Sequence, residues 1–291
     1  MSVKCREGGQ AIRSQPLKGR LVASIKRRPV AHRIARTVRL ALGRIVPPRR
    51  YPGIPGRIHF NDFMFDDSSA KGIASYRERG LNVLKQIDRC LAEAERSFDD
   101  VERWLDFGCG YGRVIRFLVD RVPPERISAS DVVREGVDFC SSELGVRPIY
   151  SDAELETVHV GTFDFIYAIS VLTHLNEHNS RALLRLLGDS LETGGVALFT
   201  THGHWSLDHP ETYGAEYGAR RAVIARDVAE KGMCFLPYPF MRGDDYGMAW
   251  HTREYVEGLM DELHGGRLEL LLFEPQGLDG HQDVFAFRRI S

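Results

Sequence analysis

The 291-residue sequence has no apolar run close to bilayer length, no closely paired cysteines and almost no net charge, at −1. Each absence excludes something. Without about 18 consecutive apolar residues, no membrane-spanning helix is expected. The five cysteines (Cys5, Cys90, Cys109, Cys140 and Cys234) are odd in number and form no C-x-x-C pair. That argues against a disulfide framework or a zinc site and for a reducing compartment. The first residues lack the apolar core and small-residue cleavage site of a secretory signal, so a cytoplasmic setting is expected. The near-zero charge conceals an asymmetry. Residues 1–50 hold 14 Lys or Arg and a single acid, Glu7. A basic arm therefore precedes an acidic body.

What is present centres on one stretch, Arg103-Trp104-Leu105-Asp106-Phe107-Gly108-Cys109-Gly110-Tyr111-Gly112-Arg113-Val114-Ile115. It opens as a short apolar strand, breaks into three alternating glycines and resumes with helical periodicity. Strand, glycine turn and helix present backbone N–H groups to a ligand in α/β sheets. A dinucleotide fingerprint would need a third glycine where Arg113 stands, which disfavours a nicotinamide oxidoreductase. Asp106, before the first glycine, would repel a pyrophosphate but attract an ammonium or other cation. Asp131, with Val132 beside it, closes the next strand-like run at the remove from which an acid accepts hydrogen bonds from ribose hydroxyls. Together these residues describe a ligand with a ribose, an amino-acid head and no phosphate: S-adenosylmethionine. A plain turn seldom needs three glycines in five residues.

The stretch Leu105 to Arg113 resembles the first motif of class I S-adenosylmethionine-dependent methyltransferases. The resemblance implies an α/β, Rossmann-like, doubly wound and mostly parallel sheet with a C-terminal antiparallel hairpin. It extends cofactor contact to Asp106, Gly108, Cys109, Gly110, Tyr111, Gly112, Asp131 and Val132. It also makes Ser151 and Asp152, after the third strand, candidates for the adenine, and Ser170, after the fourth, a further cofactor candidate. No metal is expected. His202 and His204 could converge on one strand face, but no further ligand pattern accompanies them.

The rest of the chain divides around this core. Residues 1–56 read as a basic arm, aperiodic and disordered over 1–20. Across residues 31–46, Ile34, Val38, Ala41, Leu42 and Ile45 recur at helical spacing, with Arg33, Arg36, Arg39 and Arg44 off the stripe. Such a helix suits an anionic membrane surface, a nucleic-acid backbone, an acidic partner, or simply the acidic body of its own domain. Arg49 to Gly56 reads as a linker. Residues 57–291 read as the catalytic domain. Within it, residues 57–102 form a lid-like opening segment, with a helix over Ser69–Phe98, possible breakage at Gly80, and Tyr76 and Gly80 as lid candidates. Strands are expected at Arg126–Ser130, Arg147–Tyr150, Phe163–Ser170 and Val196–Thr201, with Asn176 capping a helix. Residues 203–248 read as a long loop on the substrate side, containing a short helix over Arg220–Gly232. Phe235 to Phe240 could line a pocket or cover the core. Thr252 would cap the last helix, and Leu268–Phe273 with Asp283–Arg288 would form the closing hairpin.

Asn61-Asp62, the glycine stretch, Ser170-Val171-Leu172-Thr173-His174-Leu175 and His281-Gln282-Asp283-Val284 together are similar to a bacterial methyltransferase subfamily often linked to glycan biosynthesis. This implies O-methylation of a glycan or another small polar acceptor. A hydroxyl acceptor needs a general base; His174 and His202, after the fourth and fifth strands, are the candidates. An Asn/Asp-Pro-Pro-aromatic motif is missing after the fourth strand, which disfavours nucleobases and nucleic acid as substrates. The alternatives are an RNA or protein methyltransferase that uses the basic arm, and a non-catalytic binding module of the same fold.

Overall fold

The computed structural model describes residues 29–43, 45–65, 67–239 and 245–291. The expected disorder of residues 1–20, and the roles considered for Arg44 and Phe240, lie outside the described residues.

Helix α1 spans Pro29–Gly43. Strands β1 (Arg49–Arg50) and β2 (Arg57–Ile58) pair antiparallel, so the segment expected as a linker is a small ladder. Helix α2 (Ala70–Glu93) starts at Ser69, whose hydroxyl accepts from Gly72 N. It runs unbroken through Gly80, contrary to the expected interruption. A β-carbon at Gly80 would lie 2.5 Å from Phe117 Cε2 and 2.9 Å from the Arg113 carbonyl oxygen. Glycine is there for close packing, not to end the helix.

Then follow β3 (Trp104–Phe107), α3 (Ile115–Leu118), β4 (Ile127–Asp131), α4 (Arg134–Leu144), β5 (Arg147–Tyr150) and β6 (Phe163–Ala168). Asn176 caps α5 (Glu177–Asp189) by accepting from Asn179 N. Strand β7 (Leu191–Thr201) begins earlier than expected. The Thr193-Gly194-Gly195 turn lies inside it, where pairing with β6 slips between Phe163 and Phe165. Next come α6 (His204–Asp208), α7 (Ala215–Gly218), α8 (Arg221–Lys231), β8 (Met233–Pro237) and β9 (Gly247–His251). Helix α9 (Arg253–His264) is capped by Thr252, and β10 (Leu268–Leu278) and β11 (Gln282–Arg289) close the chain.

The central sheet has seven strands in the order β10-β11-β7-β6-β3-β4-β5. Strands β3 to β7 run parallel, and β11 is antiparallel to both β7 and β10. Both faces are buried, so the inner strands read as near-continuous apolar runs. Alternation sends Trp104, Phe165, Tyr167 and Leu198 to the face covered by α2, α3 and α4. Leu105, Ile166, Ala197 and Phe199 go to the face covered by α5 and α9. This is the doubly wound α/β fold that the resemblance implies, including its antiparallel closing hairpin.

Residues 203–248 are not a structureless loop. Ile224, Cys234, Leu236, Met248 and Trp250 form a small core of their own, with Tyr217 packed among them. The β8–β9 hairpin within it pairs from Met233↔His251 to Pro237↔Gly247.

Candidate active site

The glycine loop leaves the carboxyl end of β3 and is held down by β4. Gly108 N and Cys109 N both donate to the Ser130 carbonyl, at 2.8 and 3.0 Å. Gly108, Gly110 and Gly112 all take positive φ, at 85°, 54° and 78°. Only glycine adopts such angles without strain. Their surroundings differ. A β-carbon on Gly108 would strike Val171, and one on Gly112 would lie 2.9 Å from Leu144 Cδ1. At Gly110 it would meet nothing within 4 Å. The loop is therefore packed against protein on either side of Gly110 and open at its middle.

Two acids frame that opening. Asp106 is buried. Desolvation pushes its carboxyl up to about 8; the Tyr167 hydroxyl opposes this, Asp131 adds to it and Arg113 lowers it. Asp131 accepts from Gly110 N and Val133 N, both at 2.8 Å. Desolvation still raises it, with those backbone N–H groups pulling the other way. Each Asp131 oxygen keeps a further lone pair. Val132 is exposed beside it. Ser151 is buried at the end of β5, its hydroxyl without a hydrogen-bond partner among the described residues. The Ser130 hydroxyl is in the same condition. Asp152 is exposed and accepts from Glu154 N.

A lattice of side chains covers the loop from the N-terminal side. The Tyr111 hydroxyl donates to Glu135 Oε2 at 2.7 Å, and Asn61 Nδ2 donates to the same oxygen at 2.9 Å. His59 stacks on Tyr111, with ring centroids 4.7 Å apart. The Tyr76 hydroxyl donates to Asp62 Oδ2 at 2.8 Å. Arg116 is fully buried and donates to the Pro55, Arg57 and Tyr111 carbonyls, tying this cover to the loop.

On the far side of the loop, Val171 touches Gly108, and the residues around it carry the histidines. Ser170 has φ 57°, a conformation uncommon outside glycine. It is held by Ser170 N donating to Thr200 Oγ1 and by its hydroxyl bonding the Gln282 amide. His174 Nδ1 lies 2.9 Å from the Gly247 carbonyl, and His202 Nδ1 lies 3.0 Å from the Ala249 carbonyl. A carbonyl can only accept, so each Nδ1 carries the proton and each Nε2 is the basic nitrogen. Neither Nε2 makes a hydrogen bond among the described residues. The rings meet edge to face, 6.5 Å apart. Desolvation lowers both below the ordinary histidine value, His202 the further, with His174 adding to its fall. Both rings are neutral bases at pH 7. The Tyr238 hydroxyl lies 3.0 Å from His174 Nδ1, and the Tyr246 ring packs on His174 at 5.2 Å.

The methyltransferase-domain family profile matches residues 74–262 of this chain. The chain belongs to that family. Magnesium protoporphyrin IX methyltransferase from Synechocystis, solved with S-adenosylhomocysteine, superposes with a TM-score of 0.51 over 78% of this chain and 91% of its own, at 12% identity. A protein from Pyrococcus horikoshii gives 0.51 over 78% and 94%, at 14% identity. Among curated proteins, the malonyl-[acyl-carrier protein] O-methyltransferase of Acetivibrio thermocellus is 25% identical over 105 residues. That match spans 35% of this chain and only 36% of the relative.

The chain is a member of a methyltransferase family with the class I methyltransferase fold, and the geometry of the site fits S-adenosylmethionine as a methyl donor. The space over Gly110 is free of side chains. Two acids flank it, Asp106 buried and Asp131 partly buried, suited to an ammonium and a ribose. Ser130 and Ser151 offer buried hydroxyls that nothing among the described residues satisfies, and buried polar groups are ordinarily hydrogen-bonded.

Several site residues carry no signal in the sequence. Glu135, Thr200, Tyr238 and Gln282 act through partners distant in the chain. Of these, Gln282 lies in His281 to Val284, a stretch given no role of its own, and Tyr238 in Phe235 to Phe240, read as lining a pocket or covering the core.

Proposed function

We propose that the protein transfers a methyl group to a hydroxyl of a small polar acceptor, a glycan or related sugar, with His174 as general base. The carrying observation is the pair of neutral histidines whose Nδ1 protons are fixed by β9 carbonyls, beside the glycine loop. A carboxylate acceptor is already deprotonated and has no need of such a base; a hydroxyl does.

Asp106 and the loop from Gly108 to Gly112, with Cys109 and Tyr111, would hold the amino-acid end of S-adenosylmethionine. Asp131 and Val132 would take the ribose, Ser151 and Asp152 the adenine, and Ser170 would face the reacting end. Bound there, the cofactor supplies a methyl group already activated on a sulfonium. The chain's own task is positioning and exclusion of water. His174 is half-buried where His202 is fully buried, so His174 is placed to meet an acceptor. Its Nε2 takes the hydroxyl proton as the acceptor oxygen gains the methyl. The Gly247 carbonyl then stabilises the imidazolium through Nδ1–H. His202, edge-on to it, keeps the pocket from carrying a second positive charge.

The test is S-adenosylhomocysteine release on a panel of sugar glycosides, simple amines and a malonyl thioester. The thioester represents the acceptor named for the Acetivibrio relative. Turnover on a sugar that falls about 10²–10⁴-fold in His174→Asn, with cofactor affinity unchanged, supports the reading. Turnover confined to an amine or the malonyl group would replace it.

A further inference from the structure

Helix α1 is docked the wrong way round for a helix that belongs to a core. Amphipathic helices bury their apolar stripe. Here the opposite side is attached. Arg39 donates to the Phe60 and Asp62 carbonyls, each at 3.2 Å, and its guanidinium sits 4.5 Å over the Phe63 ring. Asn61 Nδ2 reaches the Leu40 carbonyl, and Gly43 is buried against the Asn61 side chain. At 100° per residue, Leu40 and Gly43 lie opposite the stripe of Ile34, Val38 and Leu42, and Arg39 lies on its flank, about 100° from its centre. That stripe faces outward: Ile34 is 60% exposed, Val38 52% and Leu42 40%, and Ile45 just beyond is 75% exposed. Phe60 and Phe63, flanking the helix at Arg39, are exposed as well, at 38% and 45%.

An exposed apolar stripe on an anchored helix marks an interaction surface. Three partners can be weighed by charge and polarity. A second copy would bring two arms together, each with 14 basic residues and one acid in residues 1–50, and these repel. A nucleic-acid backbone uses the basic residues but leaves the apolar stripe in water. An anionic bilayer uses both: leucine, isoleucine and phenylalanine enter the headgroup boundary while arginines meet lipid phosphates.

We propose that the outward face of α1, with Ile34, Val38, Leu42, Ile45, Phe60 and Phe63, seats the enzyme on an anionic membrane surface. The docking points tie the helix to the cofactor side of the site: Asn61 links α1 to Glu135, and Glu135 holds Tyr111 of the glycine loop.

The test is co-sedimentation of the full chain with vesicles of phosphatidylcholine alone and of phosphatidylcholine with about a third phosphatidylglycerol. The double variant Val38→Asp/Ile45→Asp is compared with wild type. Both positions are exposed, so melting temperature and cofactor affinity should be unchanged, which separates loss of docking from loss of fold. The proposal expects binding to the anionic vesicles only, weakened by salt, and at least tenfold weaker in the double variant. Three results would overturn it: no vesicle binding at low salt, equal binding by the double variant, or a wild-type dimer that the double variant dissolves.

Discussion

At Gly110 and Gly112 one substitution separates ligand space from packing. Both have positive φ, so alanine costs strain of about 1 kcal/mol at either. At Gly110 the new methyl meets no protein atom, and cofactor affinity should fall tenfold or more with little further loss of stability. At Gly112 the methyl meets Leu144 and Cys140, and overpacking should add about 1–3 kcal/mol of destabilisation. Melting curves and S-adenosylhomocysteine titrations on both variants check this. Asp106 gives a pH signature. Its folded value of about 8 stands above the ~4 of an unfolded chain. In the ligand-free protein its contribution to stability is therefore full below about pH 4 and is lost as pH rises through about 8. A cation bound beside it favours the carboxylate, so binding below about pH 8 must expel a proton. Cofactor affinity should rise from about pH 6 to about pH 8, with proton release visible in buffers of different ionisation enthalpy. Asp106→Asn should flatten both effects.

Among the elements, the β8–β9 hairpin decides whether the histidines are bases. Its carbonyls at Gly247 and Ala249 set both tautomers. A β-carbon at Gly247 would strike the Leu236 carbonyl across the hairpin. Gly247→Ala should open that pairing and release His174. Turnover should fall by about 10² while cofactor titrations stay near wild type, because the glycine loop lies on other strands. This hairpin was not legible in the sequence. The residues joining its strands hold no two-residue turn signal, Pro237 ends β8, and its core of Trp250, Ile224 and Leu236 gathers from separate elements. The glycine loop, the Asn176 and Thr252 caps and the strands of the parallel sheet were legible, because each rests on neighbours in sequence. Helix α1 was half legible. Its period is plain, but the pattern leaves the partner open, and only the Arg39, Leu40 and Gly43 contacts show which side is docked.

For the whole molecule, the acid-and-glycine crevice at the carboxyl ends of β3, β4 and β5 is the proposed seat of the cofactor. Ligand binding to the folded chain alone stabilises it by mass action, about 2.7 kcal/mol at a hundredfold excess over Kd. S-adenosylhomocysteine should raise the melting temperature by several degrees in wild type and by little in Gly110→Ala. The charge asymmetry belongs to this scale too, since 14 Lys or Arg and one acid in residues 1–50 precede an acidic remainder, which favours anionic surfaces as partners of the N-terminal segment. The most direct test of the central claim is calorimetric titration of the purified protein with S-adenosylmethionine and S-adenosylhomocysteine, with Asp106→Ala and a nicotinamide cofactor as controls. Micromolar binding that Asp106→Ala abolishes, with no response to the nicotinamide, is the predicted result. Absence of binding in wild type, or binding indifferent to Asp106, would contradict the assignment of the site.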